Sequence, residues 1–212
     1  LDEQLPEYRQ RLMLQEAGAK YLLYVGDDRL NQVATDLPLT VISVDPNTGP
    51  TGKMPVNASL GTIPDLTPDD PAYIFFTSGT TGVPKGVLGT HKGLAHFLNW
   101  QRETFAVRSQ DRCAQITALS FDVVLRDIFL PLVSGATLCL PSADMGLEPA
   151  QVLSWLEQEH ISLLHTVPSL AEFWLTNLSS EIFLSALRRV FFAGEPLTDT
   201  LVKRWRNTFP NG

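Results

Sequence analysis

The clearest chemistry lies in one run, Tyr73-Ile74-Phe75-Phe76-Thr77-Ser78-Gly79-Thr80-Thr81-Gly82-Val83-Pro84-Lys85-Gly86. An apolar strand empties into a loop of hydroxyls and glycines that carries one lysine. Glycines let a backbone pass through positive φ and approach a ligand closely, and successive N–H groups and hydroxyls then wrap an anion. Lys85 adds the full positive charge that a triphosphate or pyrophosphate attracts. The pattern points to nucleotide phosphate binding. The plainer alternative is a Gly/Ser/Thr turn between two strands.

The loop is not the one used by P-loop NTPases, which needs Gly, four residues, Gly-Lys and then Ser or Thr. Gly79 and Gly82 stand too close together, Pro84 precedes the lysine, and Gly86 replaces the hydroxyl that would hold magnesium. The order Ser-Gly-Thr-Thr-Gly-x-Pro-Lys-Gly instead resembles the signature of adenylate-forming enzymes, which include acyl-CoA synthetases, luciferases and the adenylation domains of nonribosomal peptide synthetases. Three further segments resemble the last group. Leu5-Pro6-Glu7-Tyr8-Arg9-Gln10-Arg11-Leu12 is similar to a helix start upstream of its loop. Leu119-Ser120-Phe121-Asp122-Val123-Val124-Leu125-Arg126-Asp127-Ile128-Phe129 resembles its Phe-Asp-x-Ser element. Phe192-Ala193-Gly194-Glu195-Pro196-Leu197 resembles its Gly-Gly-Glu-x-Leu turn.

The resemblance implies roles for particular residues. Thr77, Ser78, Gly79, Thr80, Thr81, Gly82 and Lys85 would hold the phosphates of ATP, and Gly194, Glu195 and Pro196 would lie beside adenine. Asp122 would pair with the α-ammonium of an amino-acid substrate, and Val123, Arg126, Thr166, Phe191 and Ala193 would line the pocket for its side chain. No residue is assigned as a catalytic nucleophile and none as a metal ligand. The implied reaction is attack of a substrate carboxylate on the α-phosphorus, which needs positioning and charge stabilisation rather than a nucleophilic side chain. The implied cofactors are ATP, Mg2+ with its ligand expected beyond residue 212, and the phosphopantetheine of a partner peptidyl carrier protein. Neighbouring synthetase domains are the other implied partners. The family's next motif, Tyr-Gly-x-Thr-Glu, does not follow Gly212. Residues 1–212 are therefore expected to be part of an adenylation domain, without the first part of its N-terminal subdomain and the whole C-terminal subdomain, and inactive alone.

Several residues carry a second reading. Asp122 precedes an apolar helical run and could serve as its N-cap. Arg126, four residues on, could line a pocket for a substrate with a second carboxylate, as in relatives that activate aminoadipate. It could equally form a surface pair with Asp122 or Asp127. His165 reads as a satisfied core histidine, and Trp100, Trp155, Trp174 and Trp205 read as helix-packing or core residues. Lys203-Arg204-Trp205-Arg206 reads as a solvated helix face. Two rival functions remain open: an acyl- or aryl-CoA synthetase in which Asp122 is only a cap, and a non-catalytic nucleotide-binding module.

These residues need a scaffold, and the pattern supplies an α/β one. Helices are expected over Pro6–Ala17, His91–Arg102, Val123–Leu132, Glu148–Glu159, Ser169–Leu178 and Asp199–Phe209. Strands are expected at Tyr21–Val25, Leu39–Val44, from Tyr73 into the loop, Gly86–Gly89, Cys113–Leu119, Ala136–Leu140, Ile161–Val167 and Arg189–Phe192. Asp45 to Asp70 reads as a long surface connection. Alternating strands and helices imply βαβ units and a largely parallel sheet flanked by helices.

Composition excludes other classes. The net charge of −7, from 16 basic and 23 acidic residues, disfavours nucleic acid as a partner. No segment approaches the roughly 18 continuous apolar residues of a membrane span. Cys113 and Cys139 sit in apolar surroundings and read as small buried hydrophobes, consistent with a reducing, cytoplasmic setting.

Overall fold

The computed structural model describes residues 1, 5–25, 33–51, 64–77, 84–142, 145–146, 148–178 and 182–212. The chain divides into two compact units, 1–94 and 95–212.

In the first unit, α1 (Glu7–Glu16) is followed by β1 (Tyr21–Val25), β2 (Thr40–Asp45), β3 (Gly49–Thr51), β4 (Pro71–Thr77) and β5 (Lys85–Thr90). β1 and β2 pair in parallel, Tyr21 with Thr40 through Val25 with Val44. β1 alternates by the two-residue strand period, burying Leu22 and Tyr24. Leu14 of α1, Leu22, Val33 and Ala34 form a small core there. β3 corrects the expectation of a featureless connection from Asp45, because it returns antiparallel along β2. The cause is local: Asp45 Oδ1 accepts from the N–H groups of Asn47 and Thr48 at 2.8 and 2.7 Å, which turns the chain back.

α2 (His91–Thr104), whose residues from Ala95 on belong to the second unit, leads there to β6 (Arg112–Ala114), α3 (Val124–Ser134), β7 (Thr137–Cys139), α4 (Pro149–Gln158), β8 (Leu163–Thr166), α5 (Pro168–Thr176), β9 (Arg189–Phe192) and α6 (Asp199–Thr208). The four strands form one parallel sheet in the order β7-β6-β8-β9. The chain leaves β6 for β7 on one side and returns to β8 on the other, so the order reverses between β6 and β8. In open α/β sheets the crevice outside the carboxyl ends of the strands at such a reversal is where ligands bind.

Helices α4, α5 and α6 cover one face. Val152, Leu153, Leu156, Ala171, Trp174, Leu201 and Trp205, with Phe209, pack on Ala114, Cys139 and Leu164 of the sheet. Each such side chain contributes about 1.5–3 kcal/mol by leaving water. Trp155 packs at the margin of this core, whereas Trp100, 48% exposed, lies outside it and packs on Phe97 and Phe105 with ring centroids 5.4 and 5.8 Å away. Cys113 and Cys139 are buried free thiols. Burial, with help from the Asp111 carboxylate, pushes the Cys113 thiol up to about 12, which keeps it neutral and unreactive. The strand expected to reach Leu119 stops at Ala114. Beyond it, the Gln115 side chain donates to Thr117 O at 2.5 Å and the backbone turns at Leu119 and Ser120.

A charged clamp closes the amino ends of the strands. Asp111 (3% exposed) accepts Arg188 Nε and Nη2 at 2.8 and 2.6 Å, Ser162 Oγ at 2.8 Å and Arg108 N at 2.8 Å. Arg188 Nη1 also donates to Phe105 O at 3.0 Å, where α2 has ended. One carboxylate thus ties together the starts of β6, β8 and β9, away from the carboxyl ends.

Candidate functional site

In the first unit the phosphate-loop residues Ser78, Gly79, Thr80, Thr81 and Gly82 lie outside the described residues. Their flanks are described. Thr77 ends β4 and Lys85 begins β5, and the two are register partners in an antiparallel hairpin. The Thr77 hydroxyl points to Lys85 O at 3.5 Å, and Pro84 is buried. Lys85 is exposed and has no acidic partner among the described residues. The hairpin therefore presents an ammonium that no acidic group among the described residues neutralises, a charge suited to an anion.

In the second unit the other candidates gather by topology at the carboxyl end of the sheet. β6 and β8 share one registered pair, Cys113 with Leu163. The segment after β6 carries Asp122 and Val123 into α3. β8 ends at Thr166, and Ala193, Gly194, Glu195 and Pro196 follow β9 directly. Ala193 N donates to Thr166 O at 3.2 Å, extending the β8–β9 ladder by one step. Gly194 has φ +83, a turn conformation that disfavours any side chain.

Asp122 is exposed in the turn before α3. It does not cap the helix: Val123 holds the N-cap position without a side-chain bond, and no ion pair among the described residues uses Asp122. Arg126 is half-buried, and its guanidinium lies 5.2 Å from the centroid of the Phe97 ring on α2. Neither of the surface pairs open to it, with Asp122 or Asp127, occurs among the described residues. Its contact is a cation–π one, and its donors have no hydrogen-bond partner among the described residues.

Register pairs His165 with Phe191 and Thr166 with Phe192. Alternation then puts Phe191 on the His165 face and Thr166 on the face of Phe192, which packs on Trp205 at 5.9 Å. Phe191 and Thr166 are thus neighbours in the sheet but not on one face. Thr166 is buried, with no hydrogen-bond partner for its hydroxyl among the described residues. The Glu195 carboxylate is engaged: it accepts Ser169 N and Ser169 Oγ, both at 2.8 Å. It caps α5 from a neighbouring loop, a task Val167 at the N-cap position cannot perform.

A buried polar group lies behind these residues, and sequence reading missed it. Asp127 of α3 is 0% exposed, and His165 of β8 and Gln101 of α2 are each 2% exposed. Gln101 Nε2 lies within hydrogen-bond distance of His165 Nε2, at 2.8 Å, and His165 Nδ1 lies 2.9 Å from Asp127 Oδ1, a close contact in which neither Asp127 oxygen has a hydrogen-bond partner among the described residues. The His165 ring stacks on Phe191 with centroids 4.8 Å apart and planes at 23°. A signal existed: the buried stripe of α3 is Val124, Asp127, Leu130 and Pro131, a carboxylate amid apolar residues at helical spacing. Among the described residues no group of three or more His, Cys, Asp or Glu side chains is placed to hold a metal ion. Nor is any described helix long and apolar enough to cross a membrane.

A parallel sheet with turn-borne polar residues at its carboxyl edge defines an α/β enzyme architecture that binds small ligands. The chain belongs to the family of AMP-binding enzymes, whose family model matches residues 1–212. It is similar to tyrocidine synthase 3 of Brevibacillus parabrevis, 39% identical over 140 residues, 66% of this chain and 2% of that protein. It is also similar to bacitracin synthase 3 of Bacillus licheniformis, 32% identical over 212 residues, all of this chain and 3% of that protein. A crystal structure of the nonribosomal peptide synthetase FmoA3 bound to alpha-methyl-L-serine-AMP superposes with a TM-score of 0.79 at 29% identity, over 99% of this chain and 23% of that one. The chain thus spans a small part of each of these three synthetases. It is an adenylation-domain segment of nonribosomal-peptide-synthetase type within the adenylate-forming superfamily.

Proposed function

We propose that the synthetase carrying this chain activates an amino acid with ATP, forming aminoacyl-AMP and pyrophosphate, and passes the acyl group to the phosphopantetheine thiol of a carrier protein. The substrate carboxylate oxygen attacks the α-phosphorus. A new P–O bond forms there, the bond to the bridging oxygen of the β-phosphate breaks, and pyrophosphate leaves with that electron pair. Lys85 and the loop from Thr77 hold the phosphates, and the turn Gly194-Glu195-Pro196 lies along adenine.

One observation carries the amino-acid reading: the Asp122 carboxylate stands exposed before α3, without a capping bond and without a cationic partner among the described residues. A substrate ammonium is the partner its charge and position suit. The cation of Arg126, which lies over Phe97 with no acidic partner among the described residues, supports a substrate side chain that offers a strong acceptor such as a second carboxylate.

ATP–pyrophosphate exchange by the intact synthetase tests this. The substrates are the common amino acids, aminoadipate, and the same acids without the amino group. Exchange is expected only with amino-bearing acids, and Asp122→Ala should raise the amino-acid KM at least about 30-fold, roughly 2 kcal/mol. Equal exchange with acids lacking the amino group would move the protein to the CoA-ligase class. ATP binding without any exchange would make it a nucleotide-binding module.

A further inference from the structure

We propose that Glu195 and Ser169 form a latch that holds the Gly194-Glu195-Pro196 turn in its nucleotide-binding shape, with the Glu195 carboxylate acting as a positioning group that does not itself touch the base. The inference deepens the adenylation reading above and rests on it for the placing of adenine along this turn. The motif resemblance sets Glu195 beside adenine and gives Ser169 no role.

Three successive contacts tie the segment after β9 to the segment after β8. Ala193 N donates to Thr166 O at 3.2 Å, one step past the registered ladder. A Cβ built on Gly194 would lie 3.7 Å from Val167 Cγ1, so the turn rests against that side chain. The Glu195 carboxylate then accepts Ser169 N–H on one oxygen and Ser169 Oγ–H on the other, each at 2.8 Å. Pairing thus continues beyond the strands, Ala193 with Thr166, Gly194 with Val167 and Glu195 with Ser169. Gly194 makes its turn, at φ +83, in the middle of this run.

Helix capping alone does not account for the arrangement. A Ser, Thr, Asp or Asn at position 167 would cap α5 from within its own segment. Val167 holds that position instead, and the cap comes from a residue 26 positions away. A local cap orders one helix start, whereas this one orders a second segment as well, and an exposed glutamate gives up rotamer freedom to do so. The geometry also decides what the turn presents to a ligand. With both oxygens on Ser169, the carboxylate is drawn to the first turn of α5, where its charge suits the positive end of the helix. What Gly194 and Pro196 then expose is backbone and a pyrrolidine ring, a surface suited to an uncharged flat base. A turn that holds its binding shape only part of the time binds with an affinity reduced by that fraction. The latch therefore acts on nucleotide affinity through the population of that shape.

The test is ATP binding by the intact synthetase, measured by calorimetry without any acid substrate, with inorganic pyrophosphate as a second ligand. The variants are Glu195→Ala, Ser169→Ala, the two together, and Ser169→Thr, which keeps a hydroxyl. Both residues are exposed, so the buried core is untouched, and the thermal midpoint reports separately on any loss of the α5 cap. Because no acid is present, failure of the amino-acid reading would appear in the exchange assay and leave this result standing.

Glu195→Ala is expected to raise the Kd for ATP at least about fivefold. Ser169→Ala, which leaves the N–H donor, should raise it about two- to threefold, and Ser169→Thr should bind as the wild type does. Once Glu195 is alanine, adding Ser169→Ala should change the Kd by less than about 1.5-fold. The Kd for pyrophosphate, which carries no base, should move less than about twofold in every variant. Weakened ATP binding in Glu195→Ala with none in Ser169→Ala would mean that the carboxylate reads the base directly. A lower thermal midpoint with the Kd for ATP unchanged would leave only a helix cap, and effects that multiply in the double variant would mean two independent roles. Each of these results overturns the proposal.

Discussion

Asp111 and Asp122 are aspartates of the same α/β unit, and their surroundings give them opposite tasks. Asp111 lies at the amino ends of the strands, buried, with both oxygens taken by Arg188, Ser162 and the Arg108 N–H. Asp122 lies toward the carboxyl ends, exposed and without a side-chain bond to its own helix. Burial by itself pushes the Asp111 carboxyl up, but the Arg188 hydrogen bonds, the Arg108 N–H and the Ser162 hydroxyl outweigh it and hold the group below the usual carboxylate range. A lowered folded value means the contribution to stability is complete above the unfolded value, about 3.9, and is lost as pH falls through the folded value below it. Asp111→Asn should therefore cost about 2 kcal/mol or more at pH 7. The gap to wild type should narrow as pH falls below about 4. Asp45 and Asp70 are also lowered, by the N–H groups of Thr48 and Thr67 first, but both remain in the variant and cancel. Thermal midpoints of the two proteins from pH 7 to pH 3 check this; a gap that stays constant through that range would refute the assignment.

At the scale of elements, much was legible because it depends on local pattern. Strand Arg189–Phe192 falls where expected, and α1, α2, α4 and α6 begin within a residue or two of their expected starts. Misses came where a side chain redirects the backbone, as Asp45 does for β3 and Gln115 does at the end of β6. The candidate site can be proposed from sequence where loop chemistry is written in consecutive residues, as from Thr77 to Lys85, of which the structure describes only the flanks. It was illegible where distant residues combine: nothing in the neighbours of Glu195 announces Ser169 as its partner, and nothing near His165 announces Gln101. Gly89 is a related case, read only as part of a return strand. A Cβ there would lie 2.0 Å from Tyr73 Cζ on the paired strand, and Tyr73 is itself set edge-on to Phe75 at 5.7 Å. Gly89→Ala should destabilise the β4–β5 hairpin by about 1–3 kcal/mol. Added to Tyr73→Ala it should cost less than about 0.5 kcal/mol more, since the clash has gone. Urea unfolding of the two singles and the double decides; strict additivity would mean that the ring is not what excludes a side chain at Gly89.

Across the whole molecule, stability is expected to be uneven, because the described residues of the two units hold very different amounts of buried apolar surface. Residues 95–212 contain a parallel sheet covered by α4, α5 and α6, with Trp174, Trp205, Phe209 and several leucines almost wholly buried. They also contain the Asp111–Arg188 clamp. Residues 1–94 contain a core of Leu14, Leu22, Val33 and Ala34, and β1 leaves Tyr21, Leu23 and Val25 open to solvent. Amides open with free energies that follow local burial. Protection in β8, whose four residues are all buried, should therefore exceed that in β1 and β2 by at least about tenfold, which is about 1.4 kcal/mol. Hydrogen exchange followed by mass spectrometry on the chain reads both regions at once. Slower exchange in β8 than in β1 would mean that the 95–212 unit retains its sheet while the smaller core opens. Equal protection would mean that the two cores unfold as one cooperative body, and that the apolar face of β1 contributes more to the native state than its exposure suggests.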